Sequence, residues 1–486
     1  MKKVSPMLKR KTMFLAIAML SSVFCLRASS IYPYLVSRNY LGNFATPQGS
    51  LITASSPALG QILTQSGVNP TPSGPTGVWG LNQRKGNGGY YYQNINNNFS
   101  TGRLAMQSNG SFGVLGVTYA GGYSVILESF SVNGVLQWTW TVPGFTQPDG
   151  IVSDGSGGYY ICGQNYSPQG GWLMHVTSEG FSDPSFNGGS PLIFPKTGTP
   201  TYAYFSGVGV QSTGKVVVTG STGIADFTVG RILPNGTTDA DFASSTGAPG
   251  TPSALGIDSQ DRILVTTWDG GAVMAKRIYR FLANGGLDTS FGGVTTPGYL
   301  DLPNNTAPLG LLVLSDNSAI IVGYDNGFTP KKMRVTKVTA AGLLDTTFGG
   351  LDITTGKKLG YVIIDYLVTS RGDNLAYGAA LMPNGDIAVV GQVLNGAMSV
   401  VSYYGIAMLK SDGTLDPSFT IPGGTPGAVA GSVIVQLGSG NSAAYGVGYQ
   451  NVAGSTGLVV AGWGGAPTSY TGSGLGVGLV FYTNNN

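Results

Sequence analysis

The chain carries one histidine, His175, and that count removes much of the chemistry open to a 486-residue protein. A zinc site built on two or more histidines needs a second imidazole, and no HExxH run is present. Any Ser-His-Asp relay would have to run through His175 itself. That residue stands five positions before Gly180, just as Arg231, Arg280 and Lys337 stand five before Gly236, Gly285 and Gly342. It therefore reads as a strand residue of a repeat rather than a catalytic base. There is no Gly-x-Ser-x-Gly elbow and no Walker A sequence. Asp239 and Asp241 form an Asp-x-Asp pair, but four sister segments lack the second acid, which points to a solvent-facing turn acid instead of a calcium ligand. The residues predict no catalytic group, no metal site and no cofactor.

Three smaller signals remain. Arg371-Gly372-Asp373 spells a cell-adhesion tripeptide inside an insert that lengthens the sixth repeat unit. Trp268, Trp463, Tyr403 and Tyr404 would stack on sugars if exposed, although a β-rich core consumes such residues as well. Cys162 lies in the apolar run Tyr159-Tyr160-Ile161-Cys162-Gly163, which predicts a buried, inert thiol. With Cys25 removed in an N-terminal leader, it is the last cysteine, so no intramolecular disulfide is expected.

The elements that would carry such residues are written in a repeated pattern. A Gly-x-x-Asp-x-x-Phe core recurs as Gly180–Asp183–Phe186, Gly236–Asp239–Phe242, Gly285–Asp288–Phe291, Gly342–Asp345–Phe348 and Gly413–Asp416–Phe419. Gly134, Gln137 and Trp140 form a degenerate sixth copy. Glycine supplies turn geometry, Asp (or Gln) bonds nearby backbone N–H groups, and the large ring wedges between packed sheets. Before each core comes a polar turn and a short apolar run, as in Gly214–Gly220 and Gly385–Gly391. Such runs, rich in Val and Ile and bounded by turn residues, read as strands buried on both faces. The segments Ile278 to Leu282 and Met333 to Val338 alternate apolar and polar residues, which predicts more exposed strands. Charged residues make up only 10%, and the 78 glycines suit turn-rich β-structure.

Counting strand-turn frames gives seven units, and the five Phe residues lie 56, 49, 57 and 71 positions apart. About four strands fit in each unit, which predicts an all-β fold: a β-propeller of seven four-stranded blades. A transmembrane β-barrel is the architectural rival, given the low charge and the alternation in Leu475 to Phe481. The segments Leu287-Asp288-Thr289-Ser290-Phe291-Gly292-Gly293 and Leu344-Asp345-Thr346-Thr347-Phe348-Gly349-Gly350 carry a family likeness. With the upstream Pro383-Asn384-Gly385-Asp386-Ile387, they resemble the bacterial delta-60 repeat, a β-propeller domain of unknown function. The resemblance covers roughly residues 100–483. It implies tandem arrays in exported bacterial proteins and no shared catalytic residues or cofactor.

The N-terminus reads as a targeting segment. Lys2, Lys3, Lys9, Arg10 and Lys11 precede the apolar stretch Met13 to Leu20 and the small residues Ala28-Ser29-Ser30, as in a secretory signal peptide. The stretch is too short for a stable membrane anchor. With Arg27, residues 1–28 hold six basic groups and no acid, so losing them turns the formal charge from +3 to −3. The basic excess leaves with the leader, and no footprint for a nucleic-acid backbone remains. The expected organisation is a signal peptide over 1–28, a Gly/Pro/Asn-rich segment over 29–100 that supplies a closing strand, and a propeller over 101–486. Tyr90-Tyr91-Tyr92 is the best candidate for that strand.

These features describe an exported bacterial propeller, at the cell surface, outside the cell or in the periplasm. Its expected role is a non-catalytic scaffold that holds a protein or glycan ligand on loops at one end of the ring. Two alternatives follow from the same residues. One is a polysaccharide lyase or glycosidase with paired carboxylates at the channel, about 5–10 Å apart. The other is an adhesin that presents Arg371-Gly372-Asp373.

Overall fold

The computed structural model describes residues 89–93 and 100–484, apart from 120–121, 133, 167–168, 196–203, 222–225, 269–275, 304, 353, 367–371, 396–400, 420–429, 436–440, 453–454 and 466–474. The chain divides into residues 1–43 and 44–486, and every described residue belongs to the second unit. The expected signal peptide, most of segment 29–100 and Arg371 lie outside the described residues.

Short apolar runs between turn residues fold as strands because they pair their backbone groups while burying Val and Ile. Among the described residues they form seven four-stranded antiparallel sheets. We number these by their first strands: sheet 1, Ser100–Met106; sheet 2, Pro148–Ser153; sheet 3, Tyr204–Val210; sheet 4, Thr251–Ile257; sheet 5, Thr306–Val313; sheet 6, Asn374–Leu381; sheet 7, Ser442–Val452. Sheets 1 to 6 are meanders of four consecutive strands. In sheet 7 the order runs Ser442–Val452, Ser455–Gly465, Leu475–Asn484 and then Gly89–Gln93, with Gly89 opposite Phe481. The fold is an all-β propeller of four-stranded blades. A membrane barrel requires one closed sheet, whereas these strands pair in seven separate sets. No helix among the described residues is long and apolar enough to cross a membrane.

The second strands are the most deeply buried. All six residues of Val216–Ser221 are buried, as are five of the six in Ile263–Trp268. They are covered on both faces because each sheet lies between two others. Val217, Val229 and Phe242 of sheet 3, for example, share one cluster with Ile263, Val265, Tyr279 and Phe281 of sheet 4. First strands touch in chain order, and that of sheet 7 also touches that of sheet 1. Leu104 and Met106 pack there beside Ala443 and Tyr445.

Two expectations from patterning are corrected. The third strands Arg277–Phe281 and Lys332–Val338 are mostly buried on both faces, not half exposed. Their polar residues are neutralised in place: Arg280 pairs with Asp288, Arg334 with Asp325 (2.6 Å) and Lys337 with Asp345 (3.0 Å). A buried charge is tolerated when paired, so alternation in the sequence does not produce a wet face. The aromatic residues Trp463, Tyr403 and Tyr404 are buried, and none of the three presents a sugar-stacking surface.

Candidate functional site

The repeated residues meet at the junctions between neighbouring sheets. Gly180, Gly236, Gly285, Gly342 and Gly413 have φ between +82° and +89°, the left-handed region that glycine enters freely. Three positions on, the carboxylates of Asp183, Asp239, Asp288, Asp345 and Asp416 each accept the N–H two residues ahead, at 2.8–3.1 Å. Phe186, Phe242, Phe291, Phe348 and Phe419 are buried, each within a cluster drawn from two consecutive sheets. In the degenerate copy, Trp140 is buried and donates to Ser182 Oγ of sheet 2.

The spacing of these residues did not reveal their reach into the next copy. The N–H after each of the first four Phe residues donates to the carbonyl just before the next turn glycine: Asn187 to Asn235, Ala243 to Asn284, Gly292 to Ala341 and Gly349 to Asp412, all at 2.8–3.0 Å. The basic residue closes the same clasp. Arg231 pairs with Asp239 (2.8 Å), lies 4.7 Å from the Phe242 ring centroid and donates to the Ala283 carbonyl (2.7 Å). Arg280 repeats this with Asp288, Phe291 and Ala340. His175 takes the same place in sheet 2, with Nδ1 2.6 Å from Asp183 and Nε2 3.0 Å from Asp154. Burial pulls its pKa down, but the two carboxylates outweigh this and leave it raised. Asp239 is not solvent-facing: Lys215 and Arg231 both pair with it and, Lys215 foremost, hold its carboxyl below the usual range. These groups are committed to holding blades together.

Two residues of the adhesion tripeptide, Gly372 and Asp373, are among the described ones. Gly372 is buried, and Asp373 accepts the Lys331 N–H (2.9 Å) and pairs with Lys331 Nζ (3.1 Å). Cys162 is fully buried, and that burial pushes its thiol well above the ordinary range.

A cavity of about 180 Å³ lies where the seven first strands converge, and each of them lines it. Every first strand carries a register shift at this level. The extra residue of such a bulge is freed from the ladder and re-aims its side chain. In sheets 2 to 7 these residues are Asp149, Ser206, Ser253, Leu309, Tyr377 and Tyr445. Each is followed by Gly150, Gly207, Ala254, Gly310, Gly378 or Gly446, small because the strands crowd together here. By ladder register, sheet 1 reverses the order: Gly102 comes first and Arg103 occupies the small-residue position.

The six bulge positions of sheets 2 to 7 therefore carry chemistry that differs from sheet to sheet, and sheet 1 adds Arg103 at the neighbouring position. Arg103 and Asp149 are the only charged residues of the lining. Arg103 lies with its guanidinium carbon 5.7 Å from the Tyr445 ring centroid, and its buried Nε has no hydrogen-bond partner. Burial raises the Asp149 carboxyl to about 6, against the opposing pull of Arg103. The rings of Tyr377 and Tyr445 lie 4.5 Å apart at 34°, and burial raises the Tyr445 hydroxyl. Ser253 Oγ reaches the Thr266 carbonyl at 3.2 Å. Glycoside hydrolysis by a carboxylate pair needs a second acid, and the lining supplies one carboxyl. Reading for catalytic motifs missed this cavity. The dipeptides Asp149-Gly150, Ser206-Gly207, Leu309-Gly310, Tyr377-Gly378 and Tyr445-Gly446 were its visible signal.

With this geometry the chain carries a β-propeller fold, and one of its repeats resembles a described propeller family. The family described as "Domain of unknown function (DUF5122) beta-propeller" matches residues 211–242, which span one repeat from the Gln211 turn to Phe242. A search of curated proteins found no match. Among solved structures, a protein of unknown function from Dyadobacter fermentans DSM 18053 is 10% identical, with 81% of this chain and 98% of that one covered and a TM-score of 0.41. A fungal alcohol oxidase of the AA5 family, in complex with copper, is 13% identical over 82% of this chain and 76% of its own, with a TM-score of 0.42. At these TM-scores neither likeness bears on substrate or reaction.

Proposed function

We propose that this protein is an exported, non-catalytic binding module that holds a small polar molecule in its axial cavity. The observation that carries this reading is the contrast between two sets of equivalent positions. At the blade junctions the copies repeat the same groups, whereas around the cavity the bulge residues Asp149, Ser206, Ser253, Leu309, Tyr377 and Tyr445 differ in charge, size and polarity, and Arg103 replaces the small residue that the other sheets carry beside the bulge. Structural positions in a repeat array converge because each copy has the same packing problem. Divergence around a concave site, with a few convergent polar groups, is what ligand recognition requires.

Around that cavity the seven sheets form one ring of delta-60-like blades, closed by Gly89–Gln93 as the fourth strand of sheet 7. Support comes from the contacts between successive first strands, including sheet 7 with sheet 1, and from the pairing of Gly89–Gln93 with Leu475–Asn484. Export rests on the basic and apolar patterning of residues 1–28.

The test is ligand-observed NMR on the full chain with a panel of small acids, amides, polyols and amino acids. Saturation transfer to at least one compound is expected, and it should vanish in Ser206→Tyr. That substitution fills the cavity with a residue that sheets 6 and 7 already carry at the same position. Binding that survives Ser206→Tyr unchanged would place the ligand elsewhere. Export is read by expressing the full chain in a bacterial host and sequencing the N-terminus of the released protein.

A further inference from the structure

We infer that the ligand of the axial cavity is a small carboxylate whose acid group docks on Arg103, with its hydrocarbon part against Tyr377, Tyr445 and Leu309. This rests on the reading of the cavity as the binding site. Three observations single out Arg103. The fold does not require it: the equivalent position is Gly150, Gly207, Ala254, Gly310, Gly378 or Gly446 in the other six sheets. Its Nε is buried without a hydrogen-bond partner, and none of the ion pairs among the described residues includes it. By contrast, Arg231, Arg280 and Arg334 are each paired with an aspartate. A buried N–H left without an acceptor is costly, and a carboxylate from solution would supply one in the planar, two-point geometry a guanidinium favours.

The remaining lining sets the size and shape of that acid. A cavity of about 180 Å³ has room for a few-carbon acid. The tilted tyrosine pair gives an apolar wall, and the Ser206 and Ser253 hydroxyls give polar contacts for a substituent on the acid. Asp149 of the neighbouring sheet lines the same cavity, and its charge interacts with that of Arg103. Its negative charge opposes a second carboxylate, so the acid should bind more tightly as the pH falls through about 6, where Asp149 takes up a proton.

The experiment titrates the full chain with carboxyl-¹³C L-lactate, and in parallel with lactamide, glycine and glycerol, on wild type, Arg103→Ala and Arg103→Lys. Lactate should bind and lactamide should not. Arg103→Ala should weaken lactate ~10- to 100-fold, the loss of a charged hydrogen-bonding partner, and Arg103→Lys should fall between. Thermal melting should hold for Arg103→Ala, because Ala254 already fills this position in sheet 4. Equal affinity for lactate and lactamide, or lactate binding unchanged in Arg103→Ala, overturns the inference. So does glycine binding that weakens as the pH falls through about 6, which would mark Asp149 as the partner of an ammonium group. If glycerol binds in the cavity while both acids fail, the carboxylate falls and the axial site stands. If no compound binds, both fall.

Discussion

Replacing Gly342 by alanine should loosen the junction between sheets 4 and 5 far more than an equivalent change in an open turn. Gly342 has φ +82°, and a Cβ there would lie 2.8 Å from Phe291 Cγ and inside van der Waals contact of the Gly292 backbone nitrogen. The left-handed backbone alone costs an alanine about 1–2 kcal/mol. Forcing a methyl against a fixed backbone atom and a packed ring adds about 1–3 kcal/mol. Neither neighbour can yield cheaply, because the Gly292 N–H is itself bonded to the Ala341 carbonyl and Phe291 is fully buried. Gly214 provides the control. Its φ is +76°, but the nearest atom to a new Cβ is Pro234 Cγ at 3.9 Å, so only the backbone term applies. Urea denaturation of the full chain, followed by tryptophan fluorescence, should place Gly342→Ala about 1–3 kcal/mol below Gly214→Ala. Equal midpoints for the two variants would refute the clasp between successive copies.

Further outcomes follow from the same structure. The raised pKa of His175 means that its pairing with Asp154 and Asp183 contributes in full below pH 6.5 and is lost as the pH rises through the folded value. The stability margin of wild type over His175→Gln should therefore shrink on going from about pH 5 to about pH 9, and a constant margin in thermal melts would contradict this. Asp154, held at about 2, contributes above 3.8 and loses that contribution as the pH falls towards 2, so acid should open sheet 2 as well. Asp288→Ala leaves Arg280 buried without its carboxylate and should cost about 3 kcal/mol by urea titration; a loss below about 1 kcal/mol would mean the pair is no more than a surface one. Cys162 should resist a thiol reagent in the native protein and react only at the rate of unfolding, and prompt labelling would show that it is not sealed. Deleting residues 1–93 removes the fourth strand of sheet 7 and should lower the melting temperature, which an unchanged melt would disprove.

The sequence by itself determined the repeat and, through it, the architecture. Turn glycines, Val- and Ile-rich runs and regularly placed Phe residues are local requirements of every blade, so they survive as a pattern that can be read along the chain. Two kinds of relation could not be read that way. The alternation in Ile278 to Leu282 suggested a wet face, but the partner that lets Arg280 be buried, Asp288, joins it only when the chain turns back. Phe291 and Gly342 looked like members of separate copies, and packing makes them opposite sides of one clasp. The cavity is the extreme case. Arg103 and Tyr445 stand at nearly opposite ends of the described chain and face each other at 5.7 Å, because the first strands of sheets 1 and 7 are neighbours. Side chains that build each blade answer to their own stretch of sequence. The cavity takes residues from the first strand of every sheet, so only the arrangement of those strands in space decides which chemistry meets there.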